Sequence, residues 1–190
     1  MEINSIDDIF AFNARVRERL KEVAERASVT RPEVLLDGEK WTAAQVFEHI
    51  SLVDSGMARI CSRLLDKARE AGVASDGRLE FSPAFEANIR EIGTRKLEAP
   101  EVVHPKGNVS VADSLKILDE NERHFEELRA AFASFHSADQ TFRHPYFGEL
   151  NAQEWLWLRG AHEARHTRQI EKLLDMAANT EKGPGYEEGK

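Results

Sequence analysis

The sequence predicts an all-α fold, a four-helix bundle. Three observations predict it. Four long segments repeat apolar residues every three or four positions, prolines cluster between those segments, and no stretch alternates convincingly enough to read as a strand. A chain of 190 residues suits one domain with a real core. Four amphipathic helices sharing that length bury their stripes most simply against one another.

The first helix is expected from about Ser5 to Ala27. Ile9, Phe12, Val16, Leu20 and Val23 share one face, and Asn4 or Ser5 can cap the start. Arg15, Arg17, Arg19 and Lys21 alternate with acids and read as a solvated face. After a loop holding Pro32 and Gly38, the second helix is expected from Thr42 to Ala71, ending at Gly72. Thr42 and Gln45 have the spacing of a capping box, and Val46, Ile50, Val53, Met57, Ile60 and Leu64 form the stripe.

From Gly72 to Asn108 the periodicity weakens among Pro83, Pro100 and Pro105, with one short helix expected over Ala84 to Ile92. A connection this long is unusual between adjacent helices but sufficient for a crossover from one end of a bundle to the other. The third helix is expected from Ser110 to Phe135. After a loop with His144, Pro145 and Gly148, the fourth runs from an Asn151 cap to Ala178. Residues 1–178 form one expected domain. Residues 179–190, without an apolar anchor, form an expected disordered tail.

The net charge of -8 disfavours nucleic-acid binding. The single cysteine, Cys61, excludes an intramolecular disulfide and reads as a small buried hydrophobe. No signal-peptide pattern and no span of about 20 apolar residues is evident, so a cytoplasmic location with no membrane partner is expected.

Histidine carries the chemistry. His162 and His166, in His-Glu-Ala-Arg-His, are one helical turn apart on the stripe of Trp155, Leu158, Ile170 and Leu173. Buried imidazoles need partners, and an unsatisfied buried polar group costs about 1–3 kcal/mol. A shared metal ion satisfies both, and separate core hydrogen bonds are the competing reading. The match to the H-E-x-x-H zinc motif is read as accidental, because that motif belongs to a different architecture. A third ligand must come from another helix. His49 faces inward or nearly so, and His124 is less well aimed. Glu48 or His144 would close the site as a fourth ligand. Gln169 is placed to support His166, and Asn121, interrupting the third stripe, either faces the site or sits at the edge of the stripe with its amide in water.

Three stretches resemble the DinB-like superfamily of metalloenzymes: Trp41 to His49 and Ile50; His144-Pro-Tyr-Phe-Gly-Glu-Leu150; and Glu154-Trp155-Leu156 followed by His162, His166, Gln169 and Ile170. Each is weakly specific alone; their order and spacing, over residues 5–178, are more so. The resemblance implies up-down-down-up topology and a divalent ion, zinc or nickel, held by His49, His162 and His166 with water in the open positions. It also implies a homodimer and a small-molecule substrate. Known activities of the family include S-transfer with low-molecular-weight thiols such as bacillithiol or mycothiol, and mycothiol-dependent maleylpyruvate isomerisation. Nothing in the sequence selects among a thiol transferase, a metal-dependent hydrolase and a stress-response protein stapled by a structural metal.

Overall fold

The computed structural model describes residues 3–91 and 98–181. Helix α1 spans Ile6–Ser28, α2 Ala43–Ala71, α3 Pro83–Glu91, α4 Val111–Ser134 and α5 Ala152–Glu181. Their starts follow from local hydrogen bonding. Ser5 accepts from the Asp8 amide, Thr42 and Gln45 form the expected capping box, and Ser110 accepts from the Asp113 amide. Asn151 accepts from the Glu154 amide while the Glu154 carboxylate accepts from the Asn151 amide. At the end of α2, Gly72 adopts φ 71°, a left-handed conformation that costs glycine little.

Cross-helix contacts fix the directions. Along α1, Asn13, Arg17 and Arg26 meet Leu156, Glu163 and Asp175 in that order, so α1 and α5 are parallel. Asp54 and Cys61 of α2 meet Arg159 and Ala152 in reverse order, so α2 opposes α5. Asp7 and Arg17 of α1 meet Arg129 and Leu118 in reverse order, so α4 opposes α1. The bundle is up-down-down-up. The segment between α2 and α4 must therefore return the chain along the bundle. Within it, α3 buries Phe85 against Trp157, and a 3-10 turn spans Glu101–Val103.

The core is layered. At one end, Ile9, Phe10, Cys61, Phe125, Phe132 and Leu156 form one apolar cluster. At the other, Leu20, Val46, Phe47, Leu118, Ile170 and Leu173 form a second. Between them every long helix contributes polar residues. Asn13 and Arg17, His49 and Asp54, Glu122, and Arg159, Glu163 and His166 lie at this level.

Two strands that sequence patterning did not reveal, β1 Phe142–His144 and β2 Gly148–Leu150, form an antiparallel hairpin with Phe142 opposite Leu150. Strands of three residues are too short to show alternation, and tertiary packing holds them: Phe147 and Leu150 are buried in the core. Helix α5 continues past residue 178 to Glu181, and the rest of the expected tail lies outside the described residues. Among the described residues no helix is long and apolar enough to cross a membrane.

Candidate metal centre

The second turn of α2 and the middle of α5 face each other in the polar layer. There His49, His162 and His166 bring one ring nitrogen each within 4.8 Å of the others. The Nε2 atoms of His49 and His162 are 3.2 Å apart. His49 and His166 are buried, while His162 keeps some solvent access. The spacing of four residues within α5 places two rings one turn apart, and the antiparallel α2 supplies the third.

The outer nitrogens set the tautomers. His49 Nδ1 lies 2.8 Å from the Val103 carbonyl, which can only accept, so the proton is on Nδ1 and the Nε2 lone pair turns inward. His166 Nδ1 lies 2.8 Å from Gln169 Oε1, which fixes that ring in the same way. Metal-binding imidazoles are commonly held by such an outer hydrogen bond. Trp41 flanks the site, its ring 4.8 Å from that of His49.

Burial keeps all three rings neutral. It lowers His49 below the ordinary histidine value, partly opposed by the Val103 bond. It lowers His166 to about 4, reinforced by His49. His162 falls well below the ordinary value through burial, with His166 and His49 acting in the same direction. Neutral imidazoles with converging lone pairs suit a divalent cation.

Among the described residues, no fourth His, Cys, Asp or Glu joins the cluster. Glu48 is buried, but its carboxylate accepts from the Lys106 and Gly107 amides at 3.1 and 2.7 Å, pinning the crossover to α2. His144 Nδ1 accepts from the Tyr146 and Phe147 amides, which leaves the ring proton on Nε2. His124 lies apart from the trio, 2.7 Å from Ser62. Asn121 donates to Ser55 across the α2–α4 contact.

The glutamate of His-Glu-Ala-Arg-His turns away from the rings. Glu163 receives Arg17 through two bonds of 2.9 and 2.8 Å. This corrects the expectation that Arg17 belongs to a solvated face: it is 3% exposed. Arg159 bonds Asp54 at 2.6 Å and Glu122 at 2.5 Å. Burial works against both guanidinium charges, but the surrounding carboxylates outweigh it and hold them more firmly charged. Single-helix periodicity could not reveal this network, because its partners come from four helices. The available signal was that Asn13 and Arg17 continue the spacing of Ile6, Ile9, Leu20 and Ala24.

A family model described as the DinB superfamily matches residues 12–170. The chain belongs to the DinB superfamily. It is 26% identical over 139 residues to a Bacillus subtilis protein, YuaE, described as uncharacterized; the match covers 72% of this chain and 79% of that one. A solved structure titled as TT2238, a four-helix bundle protein, superposes with a TM-score of 0.53 at 22% identity, covering 87% of this chain and 96% of the other. That likeness supports the bundle fold of this DinB-superfamily chain.

Proposed function

We propose that His49, His162 and His166 hold one divalent ion, zinc or nickel, and that at least one coordination position remains for a small molecule. The observation that carries this reading is the convergence of the three ring nitrogens within 4.8 Å. The outer bonds of His49 and His166 support it by aiming two lone pairs inward. When bound, such an ion supplies Lewis acidity and lowers the pKa of a thiol or water that reaches it. The protein's own part is to fix the imidazoles through Val103 and Gln169 and to keep them neutral.

The enzymatic reading is a metal-dependent transferase that brings a low-molecular-weight thiol to an electrophile. A hydrolase would use the same ion with water, but the Arg17 contacts disfavour Glu163 as its general base. A closed structural site needs a fourth protein ligand, and the backbone contacts of Glu48 weigh against that residue. We further propose a homodimer in a cytoplasmic setting, which sedimentation at micromolar concentration tests; a clean monomer removes the dimer.

Elemental analysis of protein purified without a histidine tag is expected to give about one divalent ion per chain. His162→Ala should lose most of it. Equal metal content in the two proteins would overturn the site. Metal-loaded protein screened with thiols against electrophiles should consume both only when its histidines are intact.

A further inference from the structure

The parallel helices α2 and α4 leave a surface groove of about 380 Å³, a volume within the range of small-ligand sites. We propose that this groove is a second site, one that binds the phosphate group of a small phosphorylated molecule. It is separate from the histidine trio. Ser55 lies six residues beyond His49, which is about 9 Å along the helix and roughly 120° around it.

The groove's polar groups are mainly donors. Arg59 and Arg63 project from α2 one turn apart, both exposed, and neither forms an ion pair among the described residues. Like charges at this spacing destabilise a helix slightly, and an anion between them removes that cost. Asn121 Nδ2 donates to Ser55 Oγ at 3.0 Å, and among the described residues the Ser55 hydroxyl has no acceptor of its own. Ser62 donates to the Ala58 carbonyl at 2.9 Å, so His124 Nε2, 2.7 Å away, is left as donor to the serine oxygen. Among the described residues, one acid lies within ion-pair distance of the lining: Glu127, 3.6 Å from His124 Nδ1.

Two guanidinium groups, a free hydroxyl and the remaining amide proton of Asn121 suit a dianion with three acceptor oxygens better than a singly charged carboxylate. Arginine also matches phosphate through paired, charge-assisted bonds. Because Arg59 and Arg63 are exposed, they can be changed without opening the core.

The test is an NMR titration of the full chain, metal included, with inorganic phosphate and then phenyl phosphate, at an ionic strength held constant with sodium chloride. Saturable shifts are expected on the amides of residues 55–63 and 121–124. The double variant Arg59→Gln, Arg63→Gln should weaken binding at least tenfold while circular dichroism and metal content stay unchanged. Shifts that never saturate, an unaltered affinity in the variant, or changes confined to the neighbourhood of His49, His162 and His166 would each overturn the proposal.

Discussion

Gly160 shows how closely α1 and α5 approach. A Cβ placed there would sit 2.0 Å from Asn13 Oδ1 and 2.7 Å from the Phe12 ring. Asn13 cannot move freely, because it is buried and donates to the Leu156 carbonyl at 3.0 Å. Phe12 is stacked on Trp157. In an open helix, replacing glycine by alanine would add up to about 1 kcal/mol of stability. Here overpacking, which typically costs about 1–3 kcal/mol, should prevail. Gly160→Ala should therefore lower the urea midpoint without changing the slope of the transition. A midpoint at or above that of the wild type would mean that the helices separate easily at this point. Cys61, by contrast, behaves as the small hydrophobe its sequence context suggests: it is fully buried, and burial pushes its thiol well above the ordinary range.

The elements differ in how far the sequence discloses them. The four long helices were legible because each carries a cap and a stripe, and both are local properties. His162 and His166 were legible for the same reason, since a single helix displays their shared face. The Arg17 network was not, because a charge on a core-facing position looks like a solvated charge until Asp54, Glu122 and Glu163 are brought to it from three other helices. The support from Val103 was invisible as well, since a backbone carbonyl in the crossover leaves no mark in residue types. The network makes a strong prediction at this scale. Removing one partner of a buried ion pair typically costs about 3–5 kcal/mol, because the other charge is left without compensation. Arg17→Met should lose an amount of that order in denaturant unfolding. Adding Glu163→Gln should recover part of it, as expected when coupled residues are changed together. A loss below about 1 kcal/mol for Arg17→Met would show that water reaches Asp54 and Glu163 easily.

At the scale of the whole molecule, the polar layer between two apolar clusters links stability to protons. In the metal-free protein His166 has a folded pKa of about 4, as does His144 through burial alone, and His49 and His162 are also lowered. In the unfolded chain each returns to about 6.5. Between those values the unfolded state binds more protons than the folded one, so stability falls as the solution is acidified. The contribution is fully present above pH 6.5 and is lost progressively toward pH 4, with each such histidine adding a slope of up to about 1.4 kcal/mol per pH unit. The same depression alters metal retention. Protons compete for a ligand at and below its folded pKa, so metal affinity should decline at a lower pH than at a site built of exposed histidines. Zinc titrations with a competing chelator at pH 7.5, 6.5, 5.5 and 4.5, corrected for the chelator's own protonation, measure this directly. A steep loss centred at pH 6.5 would mean that the three imidazoles titrate as solvated groups and that the desolvated centre described by their burial does not form in solution.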